Sequence, residues 1–142
     1  MLISCSTAKN YQKITYIGYS NSTNKYYKYK TKIKKGFRLK EINGGNEWSQ
    51  NEYIYLDNSI FYISNEQGNT SLNYDNIKNN QITSEKSVKA FFTNDTITLQ
   101  GIDKNGLYWK NKFDGVVNIG YLNVPKEEKS EFDKILLSLS KK

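Results

Sequence analysis

The sequence predicts a mainly β protein: an antiparallel meander forming a small barrel or strongly curved sheet, with one C-terminal α-helix. Three observations predict it. Short segments alternate apolar and polar residues with period two. Turn-forming pairs such as Asp57-Asn58, Asn105-Gly106 and Asp114-Gly115 recur between them. A helical stripe occurs only near the end of the chain.

Lys13–Ser20 is β-branched and aromatic and reads as the first strand. Tyr26–Lys34 alternates cleanly, with Tyr27, Tyr29, Thr31 and Ile33 on one face and Lys28, Lys30, Lys32 and Lys34 on the other. Further strands are expected at Phe37–Ile42, Glu52–Leu56, Ile60–Ser64, Ser71–Tyr74, Ser87–Thr93, Thr96–Ile102, Leu107–Phe113 and Val116–Leu122. Polar, aperiodic Asp75–Lys86 reads as a long loop. Trp48 and Trp109 are expected in the core.

The helix is expected at about 125–140. Pro125 suits its first position, and Glu127 and Glu128 suit its first turn. Phe132, Ile135, Leu136 and Leu139 make one apolar stripe, and Lys141 and Lys142 complement the C-terminal end of the dipole. An open sandwich is the alternative to a barrel.

Asn24–Lys40 also carries the strongest chemical signal, with eight basic residues and no acid. Residues 1–40 hold ten basic side chains and no acid, whereas the rest hold 11 against 14 acids. Taking Lys34-Lys35-Gly36 as a three-residue hairpin loop, with Gly36 left-handed, sets Ile33 opposite Phe37 and Thr31 opposite Leu39. That register opposes Lys32 to Arg38 and Lys30 to Lys40. It gathers a candidate partner-binding face of Tyr26, Lys28, Lys30, Lys32, Arg38 and Lys40, suited to another protein's acidic surface. The competing reading is a lysine-coated outer face that keeps a strand soluble, with Glu41, Glu47, Glu52 and Glu66 alongside. Lys, Asn, Ile and Tyr all have A/T-rich codons, and 20 of the 21 basic residues are Lys; a phosphate-binding surface would favour Arg forks.

Catalytic signatures are missing from the sequence. It has no His, which removes the usual general base, the commonest metal ligand and every His-dependent triad. Asp103-Lys104-Asn105-Gly106 departs from a calcium loop, with Gly two places early and no closing Glu, and fits a hairpin turn. No catalytic, metal or cofactor residue is therefore assigned, and the chain is read as non-enzymatic.

Leu2-Ile3-Ser4-Cys5 resembles a bacterial lipobox, with an aliphatic residue three before a unique Cys and a small residue just before it. The resemblance implies diacylglycerol on Cys5, a tether over residues 1–12, a single β-rich domain over 13–142, and a cell-envelope address facing the periplasm. Only Met1 precedes the box, so the reading frame is expected to extend upstream with a basic start and an apolar run. That address argues against nucleic acid, and no motif of the known nucleic-acid-binding modules is present. The general type resembles periplasmic immunity proteins, which neutralise toxins from neighbouring bacteria; no family motif carries this likeness. The alternative function is a lipocalin-like barrel carrying a lipid or other apolar ligand.

Overall fold

The computed structural model describes residues 10–20, 23–43, 49–65 and 96–142. Within them, β1 (Tyr11–Ser20), β2 (Lys25–Lys34) and β9 (Ser140–Lys141) form a three-stranded sheet in the order β1-β2-β9. A six-stranded sheet contains β3 (Arg38–Asn43), β4 (Ser49–Ile54), β5 (Ile60–Ser64), β6 (Ile97–Ile102), β7 (Tyr108–Phe113) and β8 (Asn118–Val124), ordered β3-β4-β5-β8-β7-β6. Its pairings are all antiparallel. One helix, α1 (Lys129–Leu137), follows a 3-10 turn at Lys126–Glu128.

The class is therefore mainly β, antiparallel, with one C-terminal helix. Among the described residues the two sheets do not close into a barrel. Nor is the order a simple meander: two runs of hairpins, β3-β4-β5 and β6-β7-β8, are joined by the pairing of β5 with β8. The strands expected at Ser71–Tyr74 and Ser87–Thr93, the loop Asp75–Lys86, Trp48 and Cys5 lie outside the described residues.

Period-two patterning places the core. In β1, Ile14 and Tyr16 turn inward while Lys13, Thr15 and Ile17 turn out. In β2, Tyr29, Thr31 and Ile33 are buried and every Lys is exposed. Their inner face meets Tyr53, Phe61, Ile63, Ile119, Tyr121 and Val124 of the six-stranded sheet in one cluster, together with Phe132, Ile135 and Leu136 of α1. Trp109 and Tyr62 form a second buried cluster. The expectation for Trp109 holds.

Hydrogen bonds from the tyrosine tips tie the layers together. Tyr29 donates to Asp114 Oδ2 at 2.7 Å, Tyr121 to Asp133 Oδ1 at 2.7 Å, and Tyr16 to the Ser49 carbonyl at 2.9 Å. A phenol buries a large apolar ring and still needs a partner for its hydroxyl, which explains why a chain with 12 Tyr makes so many such ties.

The expected hairpin between β2 and β3 does not form. Gly36 does take the left-handed conformation, at φ +91°, but the chain there crosses from one sheet to the other. β2 pairs with β1, and β3 pairs with β4. Charge and packing both favour this outcome. The expected register would set Lys32 against Arg38 and Lys30 against Lys40, and like charges directly opposed are destabilising. In the observed one Lys40 faces Glu52, Arg38 faces Ile54 and Lys30 faces Thr15, leaving one such opposition in the β1–β2 ladder, Lys13 with Lys32. Phe37 anchors the crossover by packing edge-on against Tyr53 and Tyr55, and the Tyr55 hydroxyl donates to the Lys34 carbonyl at 2.6 Å.

The C-terminal region departs in two details. Pro125 is extended (ψ 153°) and precedes the 3-10 turn rather than opening the α-helix. Lys141 does not cap α1; it lies in β9 opposite Tyr29, 3.5 Å from Asp114 and over the Tyr27 ring. Tyr11 starts β1 and donates to Glu131 at 2.7 Å.

Candidate functional site

The three-stranded sheet is basic throughout. Its strands read YQKITYIGYS, KYYKYKTKIK and SK and contain no Asp or Glu. Alternation sends Lys13 outward from β1, and Lys28, Lys30, Lys32 and Lys34 outward from β2. Lys142 joins them, because it exchanges two main-chain hydrogen bonds with Lys28 and so shares its side of the sheet. Lys34 is the member with an acidic neighbour, 3.8 Å from Glu128. Among the described residues, no salt bridge reaches Lys13, Lys28, Lys30, Lys32 or Lys142.

The lysines border a groove. A depression of about 390 Å³ is lined by Lys13, Thr15, Lys30, Lys32 and Ser138, with Ile14 and Thr31 at its floor. Thr15 stands opposite Lys30 and Lys13 opposite Lys32, so the short threonine leaves room among three long cationic side chains. A second hollow of about 630 Å³ shares Lys13, Lys32 and Ser138 and continues past Tyr11 to Glu131 and Lys134. At the far end of the face the Tyr19 and Tyr26 rings pack at a tilt of 53° with centroids 4.9 Å apart, with Tyr26 73% exposed, and Ile17 is 57% exposed. The face thus offers positive charge, hydroxyls and an aromatic edge. These are binding features, and none is an acid–base pair aimed at a reacting atom.

Of the residues singled out from sequence, Tyr26, Lys28, Lys30 and Lys32 are brought together. Arg38 and Lys40 are not part of this face, because they lie on β3 in the other sheet. Sequence reasoning placed Lys34 on this face of the strand and missed Lys13, Lys142, Ile17 and Tyr19. The alternation of β1 could have supplied Lys13, Ile17 and Tyr19, had β2 been paired with β1. Lys142 had no local signal.

Two acidic centres elsewhere have structural explanations. Asp133 receives hydrogen bonds from Lys129, Lys110 and Tyr121; burial pushes its carboxyl up, but these donors outweigh burial and hold it below the usual carboxylate range. Asp57 and Glu128 border a groove of about 320 Å³ with Lys34, Lys35 and Tyr55. Burial, then the Asp57 carboxylate, raise Glu128. Asp57 sits below its ordinary value, because the Ser59 amide and hydroxyl donating to Oδ1 at 2.9 and 2.6 Å overcome burial. Those bonds shape the β4–β5 turn, where Asn58 is left-handed at φ +67°. Asp103 shapes the β6–β7 turn likewise, accepting from the amides of Asn105 and Leu107.

No protein-family model matches the chain, and no match to it was found among curated proteins or among solved structures. What fold and site define is a class: a two-sheet antiparallel β protein with a helix against its core and a cationic, aromatic-edged outer face. Among the described residues no helix is long and apolar enough to cross a membrane, and no group of His, Cys, Asp or Glu is suited to hold a metal.

Proposed function

We propose that this protein is a non-enzymatic, lipid-anchored envelope protein that works by binding an acidic surface of another protein, in the manner of an immunity protein that neutralises a toxin. The observation that carries the proposal is the sheet without acids: Lys13, Lys28, Lys30, Lys32 and Lys142 share one face, and among the described residues no carboxylate forms an ion pair with them. A solubility coat tolerates interspersed acids, whereas a surface of one sign steers an oppositely charged partner. The barrel-carrier alternative has less support, since the sheets stay separate and their inner faces are filled by Tyr16, Tyr29, Tyr53, Phe61 and Tyr121.

The experiment is association kinetics with a protein captured from the native host at low salt or encoded beside this chain. Lys30→Gln with Lys32→Gln is expected to slow association several-fold with little change in dissociation, and wild-type association to fall steeply once added salt shortens the Debye length below about 10 Å. Stability should hold or rise slightly, because Lys32→Gln relieves its opposition to Lys13. Association indifferent to salt and to both substitutions would return the face to solubility alone.

The membrane address is tested separately. Expressed from its full reading frame, the wild type is expected to fractionate with membranes and Cys5→Ser to be released; unchanged fractionation refutes the anchor.

A further inference from the structure

The lysine face ends at a strand edge that nothing described covers. Among the described residues β1 pairs only with β2, and its odd and even residues use different sides of the backbone. The Lys35 amide donates to the Asn10 carbonyl at 2.7 Å. By the alternation of an antiparallel ladder, Gln12, Ile14, Tyr16 and Gly18 then bond toward β2. The amides and carbonyls of Tyr11, Lys13, Thr15 and Ile17 must point the other way. The Tyr19 amide agrees with this assignment, reaching away from β2 to Asn65 Oδ1 at 3.1 Å. From Tyr11 to Ile17 no partner for the outward main-chain groups exists among the described residues, and no bulge or Pro interrupts the strand.

Natural proteins guard such an edge, because it is a template for another strand. Here the guard is Lys13 alone, on a strand whose other residues are uncharged. The edge is continuous with the cationic groove. A strand laid along it would have its residue opposite Thr15 entering the space between Lys13 and Lys30, where Thr15 is the small wall.

We infer that the partner presents an extended acidic segment that adds to β1 as a fourth strand across Tyr11–Ile17, main-chain bonds on the edge supplying affinity and its outward carboxylates meeting Lys13, Lys30 and Lys32. This rests on the proposed binding of an acidic protein and specifies how that protein is held. Charge complementarity selects this occupant over a second copy of the chain. Two β1 edges joined together would fuse two lysine faces into one like-charged surface, whereas a Glu- or Asp-bearing strand neutralises it. Alternate residues of the segment face the lysines, so the expected pattern is an acid at every second position.

The test uses the full chain and a synthetic peptide of alternating Glu and Val, with the same peptide N-methylated at every Glu amide as the control that keeps charge and loses donors. The unmethylated peptide is expected to bind, and methylation to weaken it about tenfold or more, since several main-chain bonds are lost together. Amide hydrogen exchange supplies a readout without mutation. Lys13, Thr15 and Ile17 should exchange freely alone and become protected with peptide, while Ile14 and Tyr16 are protected in both states. Thr15→Pro should weaken the peptide similarly; its amide carries no internal bond, and Pro is tolerated there on an edge.

Equal binding of both peptides, with exchange at Lys13, Thr15 and Ile17 unchanged and binding lost on Lys30→Glu with Lys32→Glu, would overturn strand addition and leave the acidic-partner proposal standing. A dimer of the free chain with those three amides already protected would overturn it in favour of self-pairing. Binding absent for the peptide and for any acidic protein would remove the strand and the partner together.

Discussion

Gly120→Ala is expected to destabilise the fold severely. Gly120 lies in β8 between Tyr62 of β5 and Asn111 of β7. A Cβ there would fall onto the Lys110 carbonyl oxygen and within 2.7 Å of the Tyr62 hydroxyl. The first neighbour is backbone and cannot rotate away, and the second is the tip of a fully buried ring that donates to Asn111 Oδ1. The register of β7 against β8 is irregular between Tyr108 and Lys110, so the crowding falls where the ladder is already bent. Forcing a methyl into such a contact costs about 3 kcal/mol or more, a large share of a domain's typical stability. Gly36→Ala is the matched control. Nothing lies within 4 Å of its Cβ position, so only its positive φ is penalised, at about 1–2 kcal/mol. Chemical denaturation of both variants checks the contrast, and near-native stability of Gly120→Ala would refute it.

Alkaline unfolding is expected to be steep and to begin just above pH 10. Burial pushes the phenols of Tyr29, Tyr55 and Tyr121 far above their ordinary value of 10.0. Nearby carboxylates push further in the same direction: Asp114 at Tyr29, Glu131 and Glu128 at Tyr55, and Asp133 at Tyr121. Each group is raised in the folded state, so its contribution is fully present below pH 10. Above that, the unfolded chain releases protons that the folded protein retains, and stability falls as pH rises. Each tyrosine contributes a slope of about 1.4 kcal/mol per pH unit, and three together roughly 4. The transition should therefore complete within about two to three pH units, with tyrosinate absorbance and loss of β-sheet circular dichroism rising together. Tyr29→Phe removes one of these protons and should flatten the slope by about 1.4 kcal/mol per pH unit. Tyrosinate appearing at ordinary pH values without unfolding would show that these rings are not held as described.

Most strands were legible because each carries its own evidence. The alternation in Tyr26–Lys34 survives intact in β2, with Tyr29, Thr31 and Ile33 buried and the lysines out. The turns at Asp57-Asn58, Asn105-Gly106 and Asp114-Gly115 were equally local, since an Asx side chain bonds amides two to four residues on. The stripe Phe132, Ile135 and Leu136 marked the buried face of α1 for the same reason. Four of the six face residues followed from β2 alone.

By itself, the sequence determined the class of fold, the inward face of β2, the turns and the surplus of positive charge near the start. Those properties depend on neighbours a few residues apart, where period two, period 3.6 and turn chemistry act. Strand pairing was decided only by the tertiary structure. A three-residue turn at Lys34-Lys35-Gly36 and a crossover between sheets use the same left-handed glycine, and the choice depended on what β1 and β4 could offer across the fold: a nearly neutral strand for β2, and Glu52 for Lys40. The same choice took Arg38 and Lys40 off the binding face and brought in Lys13 from before β2 and Lys142 from the far end of the sequence. Summed opposition of like charges and burial of Phe37 against Tyr53 and Tyr55 are long-range quantities, and no window of sequence contains both sides of them.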